Sequence, residues 1–199
     1  MADYNLYKIL LLGDCSSGKT SLIYRLVHNS FLEYYVSTIG IDFNIKSFVV
    51  NDKKVKLQIW DSCGQERFNA LTRSYYRNTD AFIICYDISS RKSFEDAKYW
   101  IKELEKYVFD RPVIKILVGT KADLEDSRNV KYDDGKKYAD SLGIEFIETS
   151  SKNNSNIKEL FYNLSLKLLD KISDGNISTI RRKPLFLQNE HKPKKYCCN

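Results

Sequence analysis

The segment Gly13-Asp-Cys-Ser-Ser-Gly18-Lys19-Thr20 constrains this chain more than any other stretch. It has the spacing G-x-x-x-x-G-K-[ST] and stands between a continuous apolar run, Leu6–Leu12 broken only by Lys8, and a helical pattern, Lys19–His28. Strand, glycine turn and helix, in that order, aim backbone N–H groups and a helix N-terminus at an anion. The glycines let the main chain come close to phosphate oxygens. Lys19 then reaches the β- and γ-phosphates, and the Thr20 hydroxyl ligates Mg²⁺. Asp14, Cys15, Ser16, Ser17, Gly18, Lys19, Thr20 and Ser21 are the candidate phosphate-side residues. The bland alternative is a glycine- and serine-rich turn with no ligand. Average residue usage yields the full pattern in fewer than about one in a hundred chains of this length, and the strand and helix neighbours weigh further against it.

The rest of the chain reads as alternating strands and helices. Apolar or alternating runs at Asp42–Val50, Val55–Trp60, Asp80–Ile88, Val113–Gly119 and Ile144–Glu148 predict five more strands. The Asn51–Lys54 turn joins the first two of these as a hairpin. Helical patterns lie near Phe94–Val108, Tyr132–Leu142 and Ile157–Ile172. The expected fold is α/β: a P-loop nucleoside-triphosphatase architecture with six strands, mostly parallel with one antiparallel, flanked by about five helices. Residues 1–172 form the expected domain, and 173–199 a flexible basic tail.

Two further groups of residues fit a nucleotide. Asp61-Ser-Cys-Gly64 closes the Val55–Trp60 strand. Asp61 is placed for Mg²⁺, Gly64 can offer its amide to a γ-phosphate without a Cβ in the way, and Gln65 can orient an attacking water. Alone, D-x-x-G is an ordinary turn; about forty residues after the phosphate loop it gains meaning. Thr38 could close on Mg²⁺ when a γ-phosphate is present, or simply enter a strand, and the sequence does not separate the two. Thr120-Lys-Ala-Asp123 closes the Val113–Gly119 strand. The Asp123 carboxylate can accept from the ring nitrogen and exocyclic amine of guanine, a donor pair adenine lacks. The Lys121 stem can cover the base, and Ser150, Ser151 and Lys152 can bring a backbone amide to the guanine oxygen. Each group follows a strand's carboxyl end, where open α/β sheets bind ligands.

Charge and cysteine content bound the partners. The formal net charge of +6 divides into +4 on 173–199 and +2 on the body, so no nucleic-acid groove is indicated. A basic tail suits an anionic membrane, or is simply a solvated end. The five cysteines show no metal-ligand spacing, and Cys197 and Cys198 are adjacent. No secretory signal precedes Tyr4, no apolar run approaches a bilayer span, and a reducing cytosolic setting is expected. His28 reads as structural.

Together these segments resemble the Ras-like small GTPases, and within them the Rab family, over roughly Tyr4 to Ile172. Ile39-Gly-Ile-Asp-Phe43, Lys56-Leu-Gln-Ile-Trp60, Trp60-Asp-Ser-Cys-Gly-Gln-Glu-Arg-Phe68, Arg73-Ser-Tyr-Tyr-Arg77 and Tyr86-Asp-Ile88 carry the resemblance. It implies a GTPase cycling between inactive GDP-bound and active GTP-bound states, regulating vesicle-mediated transport, with Gln65 and Lys19 as catalytic residues, Phe31 stacked on guanine, and Mg²⁺ held by Thr20, Thr38 and Asp61. Ile41, Phe43, Trp60, Phe68 and Tyr76 would form the face that effectors read. The resemblance further implies an exchange factor (GEF), a GAP that accelerates slow hydrolysis, a GDP-dissociation inhibitor (GDI) and a Rab escort protein, the latter two gripping a tail that includes Leu185-Phe-Leu187. Cys197 and Cys198 would receive geranylgeranyl groups that anchor a monomer on the cytoplasmic face of an endomembrane, with a cytosolic pool. The chain departs from the family where Thr120 replaces the commoner asparagine, where Cys15, Ser16 and Ser17 stand in a loop that often carries glycine or valine at one or two of these places and can crowd the γ-phosphate and an arginine finger, and at Ser62-Cys63; its end, Cys197-Cys198-Asn199, is not C-a-a-X but fits the looser double-cysteine endings of Rab proteins. A P-loop kinase or adenine nucleoside-triphosphatase is the competing enzyme class; Asp123 and the want of an acceptor lid speak against it. A scaffold that binds nucleotide without hydrolysis is the third; Gln65 speaks against that, while Cys15 and Ser16 keep it open.

Overall fold

The computed structural model describes residues 4–31, 33, 38, 41–62, 64, 76–108 and 113–173. Six strands form one sheet: β1 (Asn5–Leu12), β2 (Ile41–Val50), β3 (Lys53–Ser62), β4 (Ala81–Asp87), β5 (Ile114–Thr120) and β6 (Glu145–Glu148). Four α-helices are described: α1 (Lys19–His28), α2 (Arg91–Glu105), α3 (Tyr132–Ser141) and α4 (Ile157–Ser173), with a single 3₁₀ turn at Glu125–Ser127. About five helices were expected. Among the described residues, no helix is long and apolar enough to cross a membrane.

The strand order is β2-β3-β1-β4-β5-β6, with only β2 antiparallel to its neighbour. The physical reason lies in the loops. Asn51 and Asp52, both at positive φ (48° and 60°), close a two-residue turn that can join only antiparallel strands. It is tighter than the four-residue turn the sequence suggested, so β3 starts at Lys53 and runs on to Ser62. Elsewhere a helix or long segment intervenes, and the strands return parallel.

Both faces of the central strands are covered, which explains their unbroken apolar runs. Along β1 the side chains alternate. Ile9 and Leu11 join Leu22, Ile23 and Leu26 of α1 and Leu160, Phe161, Leu164 and Leu168 of α4. Leu10 and Leu12 join Phe94, Trp100, Ile101 and Leu104 of α2 and Ala139 of α3. Each buried leucine, isoleucine or phenylalanine among them contributes about 1.5–3 kcal/mol by leaving water. The helix α2 starts at Arg91 rather than near Phe94 because the Ser90 hydroxyl caps it, accepting from the Ser93 amide at 3.2 Å.

This layering fixes the site. Chain reversal beside β1 sends β3 to one side of it and β4 to the other, opening a crevice at the carboxyl ends of the parallel strands. The phosphate loop leaves β1 there, Asp61 ends β3, Asp87 ends β4, Thr120 ends β5 and Ser150 follows β6.

Candidate functional site

The loop 13–18 wraps back over its own lysine. Gly13 (φ 139°) and Gly18 (φ 84°) take backbone conformations that side chains disfavour. At Gly13 a Cβ would meet the Cys85 carbonyl oxygen at 2.3 Å, and at Gly18 it would press on Thr120 Oγ1 at 3.0 Å. Lys19 is buried, and its Nζ donates to the carbonyls of Gly13 (2.9 Å) and Asp14 (2.8 Å) and lies 3.4 Å from Ser17 Oγ. Burial lowers the Lys19 pKa, with Asp61 opposing the shift. An ammonium desolvated in this way gains from an anion brought against it. The Asp14 carboxylate accepts from the Cys15 amide at 2.8 Å and fixes the start of the loop. Ser16, at φ 64°, is the loop's exposed tip, while Ser17 is buried. Ser21 continues α1 and is half-buried.

Three oxygen-bearing side chains converge beside the lysine. Thr20 Oγ1 donates to Asp61 Oδ2 at 2.5 Å and lies 2.7 Å from Thr38 Oγ1, which is itself 3.4 Å from that carboxylate oxygen. The structure thus brings together all three residues that the sequence set aside for Mg²⁺, Thr38 among them. The other carboxylate oxygen, Asp61 Oδ1, is buried and has no hydrogen-bond partner among the described residues. Burial raises the Asp61 pKa, and the Thr20 hydrogen bond and the Lys19 charge oppose the rise. A buried carboxylate with a spare oxygen, next to two hydroxyls, suits a hard cation that takes its remaining ligands from phosphate and water. Gly64 (φ 69°) lies against the phosphate loop so closely that a Cβ would fall 2.7 Å from Gly13 O, Asp14 C and Cys15 N. Ser62 anchors that turn by donating to the Leu11 carbonyl at 2.8 Å. Gln65, Cys63 and Phe68 lie outside the described residues.

The base side is a connected polar network. Thr120 is buried, with Oγ1 at 2.8 Å from the Ser17 carbonyl and 2.9 Å from the Tyr86 carbonyl, one proton between two acceptors. Its hydroxyl therefore ties the end of β5 to the phosphate loop. Lys121, at φ 58°, sends its ammonium to Asp87 Oδ2 at 2.6 Å, which fixes the direction of its stem. Asp123 Oδ1 accepts from Ser150 Oγ at 2.5 Å, and Ser150 Oγ accepts in turn from the Asn153 amide at 3.0 Å. The Ala122 amide bonds the Thr149 carbonyl at 3.0 Å, joining the two base segments directly. Ser151 and Lys152 form the turn that follows. Phe31 is exposed (38%), two residues past the end cap of α1 at Asn29.

Several contributors escaped the sequence reading. Asp87 holds Lys121. Arg128 makes a two-pronged pair with Glu148 (both contacts 2.8 Å) that braces the segment after Asp123 against the end of β6. Arg25 of α1 reaches the 151–152 turn through backbone carbonyls. The one mark of Arg25 in the sequence is a basic residue in the last turn of a helix, which the helix dipole favours. Phe43 (40% exposed) and Trp60, with ring centroids 5.0 Å apart, lie on the β2–β3 ribbon, with Ile41 half-buried beside them, whereas Tyr76 is buried against Phe82. Leu185–Leu187, Cys197 and Cys198 lie outside the described residues.

Residues 8–170 match the profile of the Ras family. The chain is 40% identical over 200 residues to Ras-related protein RIC1 of Oryza sativa subsp. japonica, covering 99% of this chain and 98% of that protein. It is 41% identical over 181 residues to GTP-binding protein ypt1 of Schizosaccharomyces pombe, covering 91% and 88% respectively. Against Ras-related protein Rab-3D of Mus musculus it is 44% identical over 173 residues, covering 87% and 78%.

Proposed function

The chain belongs to the Ras family, as a Rab small GTPase, and from that premise we propose how its residues run the nucleotide cycle. It hydrolyses GTP to GDP and phosphate, alternates between GDP- and GTP-bound states, and regulates vesicle traffic through effectors and regulators, with a GAP accelerating its slow turnover. The observation that carries the residue-level reading is the meeting of Thr20, Thr38 and Asp61 beside buried Lys19, with Asp61 Oδ1 left spare.

In this reading Asp14 through Ser21 hold the phosphates, chiefly through amides of the loop and the N-terminus of α1. Lys19 exchanges its loop carbonyls for phosphate oxygens. The hydroxyls of Thr20 and Thr38 and the Asp61 carboxylate would hold Mg²⁺, which when bound neutralises charge on the β- and γ-phosphates. Thr38 and Gly64 sit on segments that come and go with the γ-phosphate, and this makes the switch. Gln65 orients the attacking water. Asp123 accepts from guanine N1–H and the exocyclic amine. Ser150, Ser151 and Lys152 present an amide to the 6-oxo group. Thr120 and Lys121 hold this wall in place, and Phe31 covers the base.

Beyond the body, Cys197 and Cys198 carry geranylgeranyl groups, and the basic tail adds electrostatic attraction to the cytoplasmic face of an endomembrane. A GDI and an escort protein handle the lipidated tail around Leu185–Leu187. The protein acts as a monomer with a cytosolic pool and uses no nucleic acid. Single-turnover hydrolysis tests the catalytic part. Without an arginine supplied in cis, the intrinsic rate is on the order of 10⁻³ s⁻¹ or below. Gln65→Leu slows it further while leaving GTP affinity nearly intact; an unchanged rate removes Gln65 from the water-positioning role.

A further inference from the structure

We propose that Arg25 is a positioning residue for guanine: from the last turn of α1 it holds the 150–152 turn where that turn reads the base. This rests on the base-reading role given above to Ser150, Ser151 and Lys152. The Arg25 guanidinium spends three donors on backbone carbonyls. Nε donates to Ser151 O at 2.6 Å, one terminal nitrogen to Lys152 O at 3.1 Å, and the other to Asn29 O at 2.9 Å. A basic side chain near a helix C-terminus is favoured by the helix dipole alone. That accounts for the Asn29 contact. It does not account for the two that reach across 126 and 127 positions of sequence.

Peptide geometry gives those two contacts a consequence. No described peptide bond is cis, so each carbonyl turned toward Arg25 turns the amide of the same peptide unit away. The unit whose carbonyl is Ser151 O thus aims the Lys152 amide away from α1. The unit whose carbonyl is Lys152 O aims the Asn153 amide, which donates to Ser150 Oγ at 3.0 Å. Ser150 Oγ in turn donates to Asp123 Oδ1 at 2.5 Å. Arg25 therefore begins a chain of hydrogen bonds that ends on the carboxylate reading guanine, and chains of this kind polarise one another. A second tie, from Asn154 Nδ2 to Asn29 Oδ1 at 3.3 Å, joins the same two elements. Because α1 begins at Lys19 and Thr20, one helix of ten residues links the phosphate end of the site to the base end. Lysine cannot replace the fork, since an ammonium is a point donor.

The test uses the full chain and two ligands, GDP and 6-thio-GDP. The thio analogue keeps N1–H and the 2-amine but replaces the 6-oxo acceptor that the turn's amide reads. In the parent chain GDP binds more tightly than 6-thio-GDP. Arg25→Ala weakens GDP on the order of tenfold, the factor that 1.4 kcal/mol represents, and narrows the oxo-to-thio ratio. Arg25→Lys keeps the charge at the helix end and still narrows the ratio, so it decides the matter if the alanine variant does not fold. Equal affinity of the parent for both ligands overturns the base-reading role of the turn itself. A parent that discriminates, with variants that weaken both ligands equally, overturns the role of Arg25 and leaves that of the turn standing.

Discussion

Removing the Thr120 hydroxyl tests how the two halves of the site are joined. Thr120→Val keeps the branched shape and deletes the one proton shared by the Ser17 and Tyr86 carbonyls at 2.8 and 2.9 Å. Thr120 is only 3% exposed, so water cannot easily replace that donor. Leaving a buried polar group without its partner costs about 1–3 kcal/mol. Valine also puts a methyl where the oxygen sat. A carbon at hydrogen-bond distance from the Ser17 carbonyl is too close, and the next residue, Gly18, lies near enough that a Cβ on it would stand 3.0 Å from Thr120 Oγ1. The phosphate loop must yield. At 1.4 kcal/mol per tenfold, GDP affinity falls roughly 5- to 150-fold. Equilibrium titration with GDP, backed by release kinetics, reads this directly. Thr120→Ser, which keeps the hydroxyl, serves as the control and stays near the parent. A valine variant that binds GDP within about twofold of the parent would refute the coupling, since even the smallest cost above predicts a larger loss.

Other sites give independent outcomes. Gly64→Ala sets a Cβ 2.7 Å from three phosphate-loop backbone atoms at φ 69°; left-handed backbone costs a non-glycine residue about 1–2 kcal/mol before any clash. The variant keeps GDP but binds a non-hydrolysable GTP analogue on the order of tenfold less tightly than the parent does, as calorimetry will show. Asp123→Asn exchanges a double acceptor for a mixed group, costs about 1.5–3 kcal/mol of guanine affinity and moves preference toward xanthine nucleotides, measured by competition. Cys197→Ser with Cys198→Ser leaves nucleotide binding intact and makes the protein wholly soluble in cell fractionation; a double variant that still pellets with membranes contradicts the lipid anchor.

Much of the site was legible because its chemistry is contiguous. Gly13–Thr20 holds glycines, lysine and threonine in one stretch, and each apolar strand announces the turn that follows it. The strands read correctly for a similar reason: with both faces buried, β4 is apolar almost throughout. Boundaries read less well. The start of α2 depends on one hydroxyl, Ser90, and the hairpin turn on two residues at positive φ. What the sequence hid is the bracing. Arg25 and Thr120 act on backbone carbonyls, which every residue has, so no pattern marks the partner. Arg128 and Glu148 lie 20 positions apart, on different elements, and meet only once β6 pairs with β5. Thr38 had two readings in the sequence because its meaning lies in its distance to Thr20 and Asp61 rather than in its neighbours.

The central claim is that the γ-phosphate decides the state of two segments through Thr38 and Gly64. Hydrogen exchange on the full chain, loaded with GDP and then with a non-hydrolysable GTP analogue in Mg²⁺, addresses it most directly. Protection is expected to rise in residues 31–40 and 64–76 with the analogue, while β1, β4 and β5 exchange equally slowly in both states. Equal protection of those two segments with either nucleotide would mean that the chain binds guanine nucleotide without switching.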